Sequence, residues 1–170
     1  TRVLIAFDKF KDAVNAAAAG EAVAATLRRR HPDWTLDQAP LVDGGEGFAT
    51  ILTRAARGRE VVVNAADPLG VERAASFGLV RWADVPSAAQ KQLAMPATTR
   101  DDELIAIVEM AAISGLALLP ADARDPWQTT SRGTGELLRA AADAGAAAIV
   151  LGVGGSATND LGLGALAALG

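Results

Sequence analysis

The sequence contains no cysteine and only one histidine, His31, among its 170 residues. Without cysteine the chain has no disulfide bonds, thiolate metal sites or cysteine nucleophiles, and a reducing compartment, the cytoplasm, is the expected localisation. The single histidine precedes Pro32 and stands outside the polar loops of the chain. We therefore expect neither a Ser-His-Asp triad nor a zinc site built on histidine.

The sequence also lacks long apolar runs and clusters of positive charge. No apolar stretch is long enough to cross a membrane, and the run at the start is too short for a signal peptide. Apart from Arg28, Arg29 and Arg30 the basic residues are dispersed, which excludes the charged surface of a nucleic-acid-binding protein. No G-x-x-x-x-G-K-[ST] motif occurs, so a Walker A loop is excluded as well. The expected partner is a small molecule.

Short runs rich in apolar and β-branched residues alternate along the chain with stretches of helical character. The strand-like runs are residues 3–6, 35–42, 60–65, 104–108 and 146–151, of which the last is read as buried. The helical stretches are residues 13–30, 48–57, 137–144 and the segment after Gly162. This alternation predicts an α/β fold with a mainly parallel sheet that is covered on both faces.

The middle of the chain breaks the alternation. The turn signal Asp67-Pro68-Leu69-Gly70 separates two strand-like runs, residues 60–66 and 71–80, and predicts a β-hairpin. Residues 81–103 are polar and without clear period, which indicates an irregular excursion. We therefore predict a second, smaller unit inserted into the α/β layer. The final helix has no later strand to return to, so we expect the chain to be the N-terminal part of a longer protein.

Ligands of open α/β sheets bind outside the carboxyl ends of the strands, and three loops that follow strands are rich in charged residues or glycine. The first carries Asp8, Lys9 and Lys11, and its lysines can neutralise a small anion or simply be solvated. The second runs from Asp43 through Gly44 and Gly45 to Glu46. Its two carboxylates suit a metal ion or a substrate hydroxyl, or alternatively a turn and a helix start.

The third loop runs from Gly152 to Asp160, between an apolar strand and a helix. Gly154 and Gly155 let the backbone approach a phosphate, Ser156, Thr158 and Asn159 offer donors, and Asp160 can hold Mg²⁺. An ordinary helix entrance uses the same residue types. The loop also fits G-x-G-x-x-A weakly, which keeps a dinucleotide-dependent oxidoreductase open.

A run of hydroxyls stands before the helical stretch at residues 137–144. Thr130, Ser131 and Thr134 surround the guanidinium of Arg132. Helix capping employs one or two such hydroxyls, which leaves the others to bind phosphate or carboxylate together with the arginine.

Six segments of the chain resemble, in the same order, motifs of the bacterial-type glycerate kinase family. They are AFDKFK at residues 6–11, VDGGEG at 42–47, DPLG at 67–70, EMAAISGL at 109–116, TTSRGTGE at 129–136 and GGSATND at 154–160. The resemblance implies a Rossmann-like three-layer α/β domain with a mainly parallel sheet plus part of a smaller inserted α/β domain. ATP and glycerate would meet in the cleft between them. From this resemblance and the position of the predicted hairpin, we assign residues 1–65 and 120–170 to the Rossmann-like domain and residues 66–119 to the insert.

The resemblance and the loops together give a hypothesis of ATP-dependent phosphoryl transfer to a hydroxyl of D-glycerate, with Mg²⁺ as the metal. The predicted catalytic residues are Lys9, Asp43 and Asp160, and the two aspartates are also the predicted metal ligands. The predicted glycerate-binding residues are Asp8, Lys11, Gly44, Gly45, Glu46 and Arg132. The predicted ATP-binding residues are Thr130, Ser131, Thr134, Gly154, Gly155, Ser156, Thr158 and Asn159. An NAD(P)-dependent oxidoreductase of a small hydroxy acid and a truncated, non-catalytic ligand-binding module remain as alternatives.

Overall fold

A computed structural model gives the fold of residues 1–11 and 13–170. The described residues form two compact units, Thr1–Asp43 and Gly44–Gly170. In both units strands combine with helices, so the predicted α/β class is confirmed. None of the helices in the described ranges has the length and apolar character that crossing a bilayer requires.

The first unit is one strand–helix–strand crossover. Strand β1 (Arg2–Ile5) pairs in parallel with β2 (Thr35–Gln38), and helix α1 (Ala16–Arg30) connects them. The Oδ1 atom of Asn15 accepts a hydrogen bond from the amide of Ala18 at 2.9 Å. This side-chain cap fixes the start of the helix, which explains why α1 begins after Asn15 and not at residue 13 as predicted.

The second unit contains the remaining helices and strands. In chain order they are α2 (Phe48–Ala55), β3 (Arg59–Ala66), β4 (Glu72–Arg81), α3 (Ser87–Gln92), β5 (Leu104–Glu109), α4 (Ala111–Ser114), α5 (Arg132–Asp143), β6 (Ala146–Gly152) and α6 (Leu163–Leu169). The four strands form one sheet in the order β3-β4-β5-β6. The pairings β3–β4 and β4–β5 are antiparallel, and β5–β6 is parallel.

The predicted hairpin is confirmed as β3 and β4. Its turn is held by Asp67, whose Oδ1 accepts hydrogen bonds from the amides of Leu69 at 2.9 Å and Val71 at 3.0 Å. Gly70 takes the left-handed conformation, with φ of +82°, that such a turn requires. The strands β4 and β5 of the predicted insert pair with β3 and β6, and the predicted domain boundaries stay a prediction.

The sheet of the second unit is covered on both faces. Ile105 and Ile107 of β5 pack on the side of α2, whereas Ala106 and Val108 pack on the side of α5. This alternation is the period of two that a strand imposes. The result is three layers, with Leu137 of α5 buried in the larger core.

Besides the start of α1, three further local predictions are wrong. Helix α5 starts at Arg132, not at residue 137, because the glycines that looked like loop residues lie inside the helix, where it approaches other backbone closely. Residues 81–103, predicted to be irregular, include α3. Strand β6, predicted to be buried, is partly exposed because it is the last strand in the described sheet.

Substitution of Gly133 tests the close packing of α5 against other backbone. A Cβ atom there would lie 1.9 Å from the carbonyl oxygen of Ala66, a backbone atom that cannot move without disturbing β3. Gly133→Ala should therefore lower the free energy of unfolding by about 1 to 3 kcal/mol, measured by urea denaturation followed by circular dichroism.

The matched control is Gly20→Ala, also inside a helix. Its Cβ would meet the flexible side-chain oxygen of Gln38 at 3.3 Å. Because alanine favours helix over glycine, the change should not exceed about 1 kcal/mol and should be stabilising. Equal losses for both variants would contradict the packing argument.

Candidate functional site

In the first unit, the backbone brings the first loop alongside the residues that follow β2. The amide of Ala39 donates to the carbonyl of Ile5, and the amide of Leu41 donates to the carbonyl of Phe7, both at 2.8 Å. These hydrogen bonds continue the parallel pairing past Gln38, the last residue of β2. The two chain segments therefore leave the strands side by side.

This path brings three predicted site residues together. Lys9 Nζ lies 3.0 Å from Asp43 Oδ1, and the backbone amide of Lys9 donates to Asp8 Oδ1 at 2.6 Å. The Lys9 side chain is 25% exposed, whereas that of Asp43 is 62% exposed. The pair therefore presents a carboxylate to solvent beside a cation that is held in place. Lys11 is exposed nearby in the sequence.

In the second unit, the loop that begins at Gly44 packs directly against the loop that follows β6. The amide of Gly154 donates to the carbonyl of Gly44 at 2.9 Å. A Cβ atom on Gly152 would lie 2.6 Å from that same carbonyl oxygen, and one on Gly154 would lie 2.7 Å from the amide of Gly45. The glycines are required here because two backbones touch, in addition to any approach of a ligand.

Glu46 and Gly155 extend this contact. Gly155 has φ of +69°, and a Cβ atom there would lie 2.7 Å from Glu46 Oε1. The structure thus brings the second and third predicted loops together within the second unit. Ser156 continues the third loop and forms an isolated bridge with Gly115.

Glu109 stabilises the loop that contains Glu46 through hydrogen bonds to the residues that follow it. Glu109 was not among the predicted site residues. It is the last residue of β5, is 6% exposed, and accepts hydrogen bonds from the amides of Gly47 at 3.3 Å and Ala49 at 3.1 Å. Its carboxylate therefore satisfies donors at the start of α2. The signals in the sequence were an acidic residue at the end of an otherwise apolar strand and its place at the start of the EMAAISGL motif.

The hydroxyls before and within the first turn of α5 differ in exposure. Ser131 and Thr134 are 1% and 3% exposed, and Thr134 donates to Ser114 Oγ at 2.8 Å. Thr129 is also buried and donates to the carbonyl of Ala157 at 2.9 Å. Thr130 is half-buried, and its amide donates to the carbonyl of Pro68 at 2.9 Å. Among the predicted hydroxyls of this segment, Thr130 is the most accessible.

The other predicted ligand-binding side chains lie nearer the surface. Thr158 is half-buried, and Ser156 and Asn159 are exposed. Arg132 is exposed and pairs with Glu136, with 2.9 Å between its Nε and Oε1. The other carboxylate oxygen of Glu136 accepts from the amide of Ala66, so the arginine is tied to the end of β3.

Asp160 joins the third loop to the start of α5. Its Oδ2 accepts hydrogen bonds from the amide and hydroxyl of Ser131 at 2.8 and 2.9 Å and from the amide of Gly164 at 3.1 Å. Its Oδ1 accepts from the amide of Gly162 at 3.1 Å. Burial acts to raise the pKa of Asp160, but these hydrogen bonds outweigh it and hold the pKa below its ordinary value.

Within residues 1–11 and 13–170, no three histidine or acidic side chains group together in the way a protein-only metal cage requires. A bound metal would therefore depend on one or two carboxylates, on water and on its ligand, which is the usual arrangement for Mg²⁺. The fold and the loops together define a mixed α/β protein with a glycine-lined, hydroxyl-rich polar site beside the carboxyl end of β6.

Comparisons with known proteins identify the family within this class of mixed α/β proteins. The model of the glycerate kinase family matches residues 3–170. The chain is 40% identical over 169 residues to a glycerate kinase of Bacillus subtilis (strain 168) and 38% identical over 169 residues to a glycerate 2-kinase of Escherichia coli (strain K12). Each alignment covers 99% of this chain and 39% of the relative.

A solved structure supports the same family assignment. The crystal structure of a protein assigned as glycerate kinase 2 from Salmonella typhimurium LT2 superposes with a TM-score of 0.70 at 39% identity, over 99% of this chain and 40% of that one. The chain belongs to the glycerate kinase family, as its motifs predicted. It spans about two fifths of the length of these relatives. Membership favours the kinase hypothesis over the dinucleotide-dependent oxidoreductase.

The hydrogen bonds to Asp160 predict a pH-dependent stability. Asp160→Asn keeps the shape of the side chain but removes the charged acceptor, so the free energy of unfolding near neutral pH should fall by about 2 kcal/mol. Because the folded-state pKa lies below the unfolded one, the stabilisation is complete above the unfolded pKa and is lost as the pH falls through the folded pKa. Urea denaturation across this range should show the two proteins converging in acid.

Asp102→Asn is the control for this experiment. Asp102 lies in an exposed ion pair with Arg100, which contributes little to stability. A difference between Asp160→Asn and the wild type that stays constant from neutral to acid pH would contradict the role assigned to the carboxylate.

Proposed function

We propose that this chain forms the ATP- and D-glycerate-binding part of a glycerate kinase, which transfers the γ-phosphoryl group of ATP to a hydroxyl of glycerate and gives phosphoglycerate and ADP. The observation that carries the proposal is the family match over residues 3–170. The names of the Bacillus subtilis and Escherichia coli relatives support the substrate. Phosphoryl transfer of this kind depends mostly on positioning and on neutralising charge, which polar loops on a rigid sheet can supply.

The phosphates of ATP fit the third loop and Thr130. Gly154 and Gly155 leave the backbone without side-chain bulk, and the half-buried or exposed Thr130, Ser156, Thr158 and Asn159 carry donors for phosphate oxygens. Ser131 and Thr134, also predicted to bind ATP, would support these contacts from inside, because their hydroxyls are buried.

Mg²⁺ requires a carboxylate that it can reach, and the exposed side chain of Asp43 meets this requirement best. Its side chain is largely exposed, whereas the oxygens of Asp160 accept five hydrogen bonds from the chain. Mg²⁺ supplies neutralisation of the phosphate charge when it is bound. Asp43 would hold the metal or orient the attacking hydroxyl of glycerate, with Glu46 exposed in the following loop.

The cations would bind the anionic groups of the two substrates. Lys9 stands 3.0 Å from Asp43, so a positive charge is present beside the proposed reacting hydroxyl. Lys11 and Arg132 are exposed and can bind the glycerate carboxylate or a phosphoryl oxygen. Asp8, which accepts from the amide of Lys9, and the backbone at Gly44 and Gly45 are the other proposed glycerate-binding groups.

A coupled assay of ADP release tests the proposal. We expect ADP to be released from ATP only when D-glycerate and Mg²⁺ are both present, and phosphorus NMR then identifies the phosphorylated hydroxyl. ATP binding, measured by calorimetry on the 170-residue chain, separates binding from turnover. A folded chain that neither binds ATP nor supports ADP release would contradict the proposal.

Asp43→Asn tests the proposed catalytic carboxylate. Turnover should fall by about 100-fold or more, since a positioned proton acceptor or metal ligand is lost. The fold should persist, because an exposed ion pair contributes at most about 1 kcal/mol. Asp33→Asn, at an exposed position of the same unit, is the control and should retain wild-type turnover. Near-normal activity of Asp43→Asn would remove Asp43 from the mechanism.

A further inference from the structure

We propose that Asp160 is a positioning residue, whose carboxylate ties the start of α5 to the start of α6 and so holds Thr130 toward the phosphates of ATP, and that it does not bind the metal. The role given to the nucleotide in this inference rests on the proposed function. The hydrogen bonds to Asp160 are independent of the proposed function, because residues of the chain itself donate them.

Most hydrogen bonds to the carboxylate of Asp160 converge on Oδ2. Four donors reach Oδ2, namely the amide and hydroxyl of Ser131, the amide of Gly164 and, at 3.5 Å, the hydroxyl of Thr130, and the amide of Gly162 reaches Oδ1. A carboxylate offers about four lone-pair sites. Direct binding of Mg²⁺ through Oδ2 would therefore displace hydrogen bonds that the fold already uses.

Ser131 extends the connection that Asp160 makes between α5 and α6. Its hydroxyl donates to Asp160 Oδ2 at 2.9 Å and accepts from the amide of Ala165 at 3.0 Å. Ser131 is buried, so this hydroxyl serves the protein and not a ligand. Amides in the first turn of α6, which have no partner within the helix, are thus satisfied by Asp160 and by the residue that Asp160 holds.

The packing around Thr130 is tight. A Cβ atom on Gly164 would lie 2.3 Å from Thr130 Oγ1 and 2.7 Å from Asp160 Oδ2. Thr130 Oγ1 itself lies 3.5 Å from Asp160 Oδ2 and accepts from the amide of Arg132 at 3.2 Å. The position of this half-buried hydroxyl is therefore set by the carboxylate and by the glycine that lets α6 approach.

The affinity for ATP, measured by calorimetry in EDTA and again in excess Mg²⁺, separates positioning from metal binding. For Asp160→Asn we expect affinity to fall about tenfold in both conditions, because a charge-assisted hydrogen bond is lost, so the ratio between the conditions stays that of the wild type. Loss of a metal ligand would instead leave the affinity for ATP in EDTA unchanged and would reduce the ratio of the affinity in Mg²⁺ to that in EDTA. This result would overturn the inference.

Two further variants, Ser131→Ala and Asp102→Asn, complete the test of ATP affinity. Ser131→Ala retains the carboxylate, so it should weaken binding in EDTA with an unchanged ratio even if Asp160→Asn fails to fold. Unchanged affinity of Ser131→Ala in EDTA would overturn the inference. Asp102→Asn is the surface control in every measurement and should match the wild type.

Hydrogen exchange without nucleotide tests the positioning alone, whether or not the wild type binds ATP. In Asp160→Asn the amides of Gly162 and Gly164 should exchange about tenfold faster while those of β5 keep their protection. Unchanged exchange at both glycines would overturn the inference. A wild-type chain that does not bind ATP would instead count against the proposed function.

Discussion

Direct contact between two backbones, at Gly44 and Gly154, is the constraint on which the polar loops of the second unit depend. A hydrogen bond of 2.9 Å joins the two residues, and neither Gly152 nor Gly154 has room for a Cβ atom. Because no side chain separates the loops, the position of one determines the position of the other. Glu46, Gly155 and Ser156 are therefore presented by a surface that is built from two segments distant in sequence.

Buried and half-buried acidic and hydroxyl groups stabilise this arrangement through hydrogen bonds. Glu109 binds amides at the start of α2, and Asp160 binds amides at the start of α6 together with Ser131. A buried polar group costs free energy unless it is hydrogen-bonded, so each of these groups is stable only while its partners stay in place. These hydrogen bonds favour the loop conformation described here. Such preorganisation is what phosphoryl transfer demands of a protein.

The predicted site residues divide into an internal and an external group. Ser131, Thr134 and Asp160 bind other parts of the chain, whereas Thr130, Ser156, Thr158 and Asn159 lie nearer the surface. Composition does not reveal this division, because serine, threonine and aspartate serve equally well as helix caps and as ligand-binding groups. Burial and the identity of the partners separate the two roles.

The sequence by itself determined the α/β class, the hairpin around Asp67-Pro68-Leu69-Gly70, the family and the loops that carry polar residues. These features follow from local periodicity, turn chemistry and motif order, all of which are written in neighbouring residues. Only the tertiary structure decided that α5 begins at Arg132, that Glu109 supports α2 and that Ser131 binds Asp160 across 29 positions. Each depends on an atom supplied from far along the chain, and a local pattern contains no information about which distant donor or backbone will approach.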